Sequence, residues 1–299
     1  MIAFVFPGQG SQKVGMGKEL VEKYPFAREM YEKADNVLGF PLSKLSFEGP
    51  EEELTKTENA QPAILTYSVI ALKALTQKGI QPAVVAGHSL GEFSALVASG
   101  MLSFESALKL VRKRGELMAN ADPEKKGGMA AVLGLPAEVV EEVCAEISRE
   151  VYVEPVNYNA PDQVVISGLK EAIAKAEPLL KEKGAKRVLI LNVSGAFHSK
   201  LMANAATEFK KVLDETPFLK PVCRVISNVT AREEDETNIR EMLFRQIQSP
   251  VKWVESVRYI ESLGIHEMVE VGPGTVLAGL VKKIAPSLPV KSWEQFLSE

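Results

Sequence analysis

An α/β fold built on a mostly parallel sheet is predicted by three observations. Short β-branched runs alternate with longer helical patterns along most of the chain. A Gly-x-Ser-x-Gly turn, Gly87-His88-Ser89-Leu90-Gly91, stands directly between one such run and a helical stretch. The middle of the chain breaks this rhythm and reads as βαββαβ, the ferredoxin-like arrangement, over about seventy residues.

The elements follow in order. Ile2–Phe6 reads as a first buried strand, ended by Pro7-Gly8-Gln9-Gly10. Helical patterns cover Lys18–Leu38 and, after an acidic lead at Pro50–Leu54, Gln61–Gln77. Ala83–Ala86 is a second buried strand, and Leu90–Ser99 returns to helical periodicity. A helix over Ser103–Asn120 carries Ala107, Leu108, Val111 and Leu117 opposite a basic side. Pro123-Glu124-Lys125-Lys126-Gly127-Gly128 reads as a linker. Beyond it lie a strand at Met129–Leu135, a helix at Ala137–Arg149, strands at Val151–Asn157 and Gln163–Ser167, a helix at Leu169–Lys183 and a strand at Arg187–Val193. This unit can bury its own core against two helices, so residues 126–194 are expected to form an inserted subdomain. Residues 1–125 and 195–299 then form the main body, with further strands at Val222–Asn228 and Glu267–Val271 and a helix at Val251–Leu263.

Composition narrows the class. The chain has 299 residues, 46% hydrophobic and 25% charged, which fits a folded globular protein rather than a disordered one. Thirty-five Lys and Arg against 39 Asp and Glu give a net charge of −4, and no clustered basic excess points to nucleic acid. The longest charge-free run, Asn59–Leu72, is 14 residues, short of the ~18 that a membrane span needs. No basic region precedes the first apolar run, so no export signal is expected and the chain is placed in the cytoplasm. Cys144 and Cys223 stand far apart with no CxxC pattern. Cys144 shares an apolar helical face with Val140, Val143 and Ile147, which argues against a disulfide framework or a thiolate zinc site. No P-loop, HExxH or dinucleotide fingerprint appears, so neither a metal nor a cofactor is expected.

The chemistry concentrates at Ser89. A tight strand-to-helix turn exposes the serine hydroxyl, and the glycines two residues on either side let neighbouring backbone approach. The helix that follows aims backbone N–H groups at any oxyanion formed there. Roughly one chain of this size in ten carries the pattern by chance, so the strand before and the helix after are what make it informative. A Gly-rich turn with a capping serine also fits. A serine nucleophile needs a base within reach, and the chain has three histidines. His88, next to Ser89, points away in a sharp turn. His266 leads into a strand. His198 follows the strand Arg187–Val193 where the subdomain rejoins the body, which makes it the best candidate. Arg112 and Arg114 lie about 200° apart on their helix, so one of them must point inward or toward a cleft. Pro7–Gly10 also fits a simple strand-ending turn, and Val271-Gly272-Pro273-Gly274 a strand end that lets backbone pack closely. Asn157 and Asn159 are read as shaping the subdomain hairpin.

Five blocks, in order, resemble the malonyl-CoA:acyl carrier protein transacylase family of bacterial type II fatty acid synthesis. They are Phe6-Pro7-Gly8-Gln9-Gly10-Ser11-Gln12, Gly87-His88-Ser89-Leu90-Gly91-Glu92, Arg114-Gly115-Glu116-Leu117-Met118, Gly195-Ala196-Phe197-His198 and Glu270-Val271-Gly272-Pro273-Gly274. The resemblance implies a hydrolase-like α/β body with an inserted ferredoxin-like subdomain. It implies that Ser89 takes a malonyl group from malonyl-CoA as an ester and passes it to the phosphopantetheine thiol of holo-acyl carrier protein. His198 would serve as base and then acid, oriented by the backbone carbonyl of Gln246. Gln9 and Leu90 would supply the two N–H groups of the oxyanion hole. Arg114 would hold the malonyl carboxylate through its guanidinium fork, and Phe197 would narrow the pocket against an α-methyl branch. The partners implied are malonyl-CoA and the carrier protein, with no nucleic acid and no membrane, and the chain acting as a monomer. An acidic carrier needs a basic landing site, for which Lys181, Lys183, Lys186 and Arg187 are candidates.

Three other functions compete. A serine esterase or thioesterase could use the same turn, but no carboxylate of a hydrolase triad is evident, and Arg114 favours transfer. A malonyl transferase of a polyketide pathway would carry the same blocks. A non-catalytic carrier-binding protein would have no need of both Ser89 and His198.

Overall fold

Alternation fixes the faces of the first strand. Phe4 and Phe6 point to one side and Ala3 and Val5 to the other, all fully buried, so both faces must be covered. The computed structural model describes residues 1–299. Its strands run in chain order as β1 (Ile2–Phe6), β2 (Val84–Gly87), β3 (Gly127–Leu133), β4 (Val153–Ala160), β5 (Gln163–Leu169), β6 (Arg187–Ile190), β7 (Arg224–Ile226), β8 (Glu233–Glu234), β9 (Glu267–Glu270) and β10 (Val290–Ser292).

Six of them form one sheet in the order β10-β9-β1-β2-β7-β8. All neighbours are parallel except β7 and β8. The helices Thr57–Gln77 and Phe104–Ala119 pack on the Phe4 and Phe6 side. Trp253–Ser262 and Val276–Ile284 pack on the other. The loops after β1, β2, β7 and β9 therefore gather at the C-terminal edge of a parallel sheet, where α/β proteins build their sites.

The other four strands form an antiparallel sheet, β4-β5-β3-β6. The helices Ala137–Ile147 and Lys170–Glu182 cover it through Val140, Val143, Ile173 and Leu180, with Cys144 buried among them. The two sheets are tied by backbone. Val251 donates its N–H to the Val156 carbonyl at 2.7 Å, and Tyr158 donates to the Val251 carbonyl at 3.0 Å.

Three sequence expectations need correction. The pattern over Lys18–Leu38 is two helices, Lys18–Lys23 and Pro25–Leu38, because the residue before a proline is driven out of the helical region and Tyr24 is extended. Helix Val251–Leu263 begins only at Trp253, since Val251 is used to bridge to Asn157. The strand Arg187–Val193 ends at Ile190, and the chain beyond it leaves the sheet to line the cleft. No helix is long and apolar enough to cross a membrane.

Candidate active site

Ser89 caps the C-terminal end of β2 with φ of 51°, in the left-handed region that side chains other than glycine rarely adopt. The turn closes because its flanking residues have no Cβ. A Cβ on Gly87 would lie 1.9 Å from the Gly91 backbone, and one on Gly91 would lie 2.0 Å from the Phe6 carbonyl oxygen. Asn228, just past β7, holds the strained turn from both sides. Its Oδ1 accepts from the Ser89 N–H at 2.8 Å, and its Nδ2 donates to the Gly87 carbonyl at 2.6 Å.

The Ser89 hydroxyl lies 2.8 Å from His198 Nε2. On the other side of the ring, Nδ1 donates to the Gln246 backbone carbonyl at 2.8 Å, which leaves Nε2 as the acceptor in the neutral imidazole. His198 too has a positive φ, 60°, and its N–H is held by the Ile247 carbonyl at 3.1 Å. Burial, helped by the nearby Arg114 charge, pushes its pKa down to about 3, so the imidazole is neutral at physiological pH. The other two histidines stand apart from this contact. The His88 ring bonds Asn159 Oδ1 at 2.7 Å, while exposed His266 lies 2.6 Å from the N-terminal amine.

Arg114 is 1% exposed, and it is the one of the arginine pair that points inward. Its Nη2 donates to Ser89 Oγ at 3.1 Å and to Gln246 Oε1 at 2.8 Å, and Nη1 donates to Gln61 Oε1 at 2.9 Å. Its Nε has no partner, and the guanidinium lies 5.3 Å from the centre of the Phe93 ring. Desolvation lowers its pKa to about 10, so it stays a cation at neutral pH. Arg112 instead bonds the Glu58 carbonyl, Asn59 and Glu116 on the half-buried side of the helix.

Neither the Gln9 nor the Leu90 N–H is used within the protein, so both are free to donate to an oxyanion. Gln9 and Ser89 line a cavity of about 310 Å³ together with Met118, Phe197 and His198. Through Gln9, Thr55, Asn192 and Val193, which line both, it continues into a wider polar groove of about 570 Å³ flanked by Lys56, Lys125 and Lys170. Asn157 and Asn159 belong to the cavity wall rather than to a hairpin turn, because alternate residues of β4 face the main body there. No three His, Cys, Asp or Glu side chains are placed to hold a metal ion.

Sequence reasoning passed over three residues of the site. Gln61 and Asn228 lie in other segments, and Glu92 stands inside the Ser89 block without an assigned role. A signal existed for Asn228, which ends a predicted strand of the parallel sheet. None existed for Gln61.

Residues 3–293 match the acyl transferase domain family. A malonyl CoA-acyl carrier protein transacylase of Bacillus subtilis (strain 168) is 50% identical over 95% of this chain and 90% of that protein. An acyl carrier protein S-malonyltransferase from Vibrio cholerae superposes with a TM-score of 0.94 at 45% identity, covering 97% of this chain and 96% of the other. A malonyl-transacylase solved in complex with its type II polyketide acyl-carrier protein gives 0.95 at 43% identity, covering 97% and 95%.

Proposed function

The chain belongs to the acyl transferase domain family, and from that premise we propose that it moves malonyl from malonyl-CoA to the phosphopantetheine thiol of acyl carrier protein, in fatty acid synthesis. The observation that carries this reading is the position of Arg114. A buried guanidinium 3.1 Å from the nucleophile suits an acyl group that ends in a carboxylate.

His198 Nε2 takes the Ser89 proton as Oγ attacks the thioester carbonyl. The Gln9 and Leu90 N–H groups receive the negative oxygen. The C–S bond breaks, His198 returns the proton to the departing CoA sulfur, and malonyl-Ser89 remains. The carrier's thiol then enters, His198 takes its proton, and the ester C–O bond breaks as the new thioester forms. His198 hands the proton back to Ser89. The Gln246 carbonyl steadies the imidazolium in both halves, and Phe197 limits room beside the α-carbon.

The finer architecture belongs to the same proposal. Residues 126–194 form a ferredoxin-like subdomain, supported by the strand order β4-β5-β3-β6 with two helices on one face. Residues 1–125 and 195–299 form a hydrolase-like body. The enzyme works as a cytoplasmic monomer, and Lys181, Lys183, Lys186 and Arg187 receive the acidic carrier.

Intact-mass measurement tests the activity. Malonyl-CoA alone should add one malonyl mass to the wild type and none to Ser89→Ala, and holo-acyl carrier protein should remove it. An adduct that water clears as fast as the carrier does would make the protein a hydrolase.

A further inference from the structure

Behind the site lies a pair of carboxyl groups that the transfer steps do not use. Glu92, on the helix Gly91–Ala98, is fully buried, and Glu234, on β8, is 3% exposed. Glu92 Oε1 and both oxygens of Glu234 accept no hydrogen bond from an ordinary donor. Three such orphans in one spot are costly if both groups are ionised, because a carboxylate can only accept. A single proton shared between the two carboxyls changes the count: one group becomes a donor and the other its acceptor. Charge balance agrees. Arg114 is the cation that faces Glu92, while Ser227 is the remaining polar side chain against Glu234 and the exposed Asp235 adds a second negative charge nearby. Two carboxylates would leave this interior cluster negative, and two neutral acids would leave Arg114 without a counter-charge.

We propose that Glu92 and Glu234 hold one proton between them, with Glu92 as the anion, and that the pair acts as a positioning device for Gln246 and thereby for Arg114. Gln246 is the link. Its Nε2 donates to Glu92 Oε2 at 2.7 Å and to the Ser89 carbonyl at 3.0 Å, while its Oε1 accepts from Arg114 at 2.8 Å. An anionic Glu92 accepts only, so it forces the amide nitrogen toward itself and leaves the amide oxygen for Arg114. A neutral Glu92 can donate instead, and the amide can then flip and release the guanidinium. Glu234 supplies the proton that keeps Glu92 the acceptor. Desolvation raises the proton affinity of both carboxyls, and the neighbouring Glu92 charge raises that of Glu234 further.

The inference rests on the reading of Arg114 as the group that meets the malonyl carboxylate, and its test separates the two. Infrared spectra of the wild type at neutral pH should contain a protonated-carboxyl stretch that Glu234→Gln lacks. The amide of Glu234→Gln still donates to Glu92 and cannot ionise, so transfer should stay within about threefold of wild type. Glu92→Gln can donate as well as accept, so it no longer dictates the orientation of the Gln246 amide, and kcat/KM for malonyl-CoA should fall roughly 10- to 100-fold, with a smaller loss for acetyl-CoA. Glu234→Ala should behave the same way and stands in if Glu92→Gln does not fold. Identical spectra for wild type and Glu234→Gln would overturn the shared proton. An unchanged malonyl-to-acetyl ratio in Glu92→Gln and Glu234→Ala would reduce the pair to packing. If Ser89 never takes up malonyl, the functional reading fails while the infrared result stands by itself.

Discussion

On the proposed function, Arg114 is the residue that selects the acyl group. A malonyl carboxylate carried into this interior is costly to desolvate unless a cation meets it, and Arg114 is the cation beside Ser89. Arg114→Ala should therefore lower kcat/KM for malonyl-CoA roughly 30- to several-thousand-fold, the ~2–5 kcal/mol lost when one partner of a buried pair is removed. Acetyl transfer should persist or improve. A parallel fall for both donors in a competition assay would assign the carboxylate to another residue. His198 gives a second outcome at this scale. On the proposed mechanism it is the base, and its pKa of about 3 keeps it neutral through the usual histidine range near 6.5. The kcat/KM profile should thus stay flat as pH falls through 6.5 and drop only well below it. An acid limb at the ordinary histidine position would show that solvent reaches the ring. These residues were legible because chemistry marks them: a serine between glycines, one well-placed histidine among three, and an arginine that could not share a face with its neighbour. Gln61 and Glu234 were not. What marks them is contact across long stretches of chain, such as the 53 positions between Gln61 and Arg114, and pattern carries no trace of that.

Elements were legible where their burial is periodic and illegible where it is sparse. The strand Ile2–Phe6 announces itself as an unbroken apolar run, and the helix behind Ser103 by its period. The helix Ile239–Gln246 does not, although it delivers the carbonyl that orients His198. It is eight residues long and buries only Ile239, Leu243 and Gln246. The sequence also hides how the helix Val276–Ile284 begins. Glu270, at the end of β9, accepts from the Leu277 and Ala278 N–H groups at 3.1 and 2.8 Å, standing in for a local cap. Glu270→Ala leaves two buried donors unpaired and should cost about 1–3 kcal/mol per unsatisfied group in denaturant unfolding. The pH dependence has a definite sign. Desolvation outweighs those two bonds and raises the Glu270 pKa from 4.5 to about 7. Between these values the folded state keeps a proton that the unfolded state has lost, so stability falls as pH rises through that window. Glu270→Gln cannot ionise. Its melting temperature should gain on the wild type from pH 4.5 to 7 and run parallel above. A constant offset across that range would mean that Glu270 is ionised throughout.

The whole molecule sets the kinetic order. The main sheet supplies Ser89 and the two free N–H groups from the loops after β2 and β1, and the second sheet closes the cleft with Asn157 and Asn159. The backbone tie at Val251 joins one sheet to the other beside the cleft. The part beside Ser89 is about 310 Å³, near the small end of the ~300–1,000 Å³ that accommodates one drug-sized ligand, and it opens into the groove of about 570 Å³. On the proposed function, one thioester arm at a time occupies the part beside Ser89. The donor must leave as free CoA before the carrier's thiol arrives, and the acyl group must wait on the serine. Initial rates with malonyl-CoA and holo-acyl carrier protein varied together should give parallel double-reciprocal lines. Excess carrier should inhibit competitively against malonyl-CoA, because both occupy the same free enzyme. Exchange of labelled CoA into malonyl-CoA should proceed with no carrier present and vanish in Ser89→Ala. Lines that intersect, or exchange that needs the carrier, would require a cleft that opens wide enough to hold both arms, and a Val251 tie that lets go during each turnover.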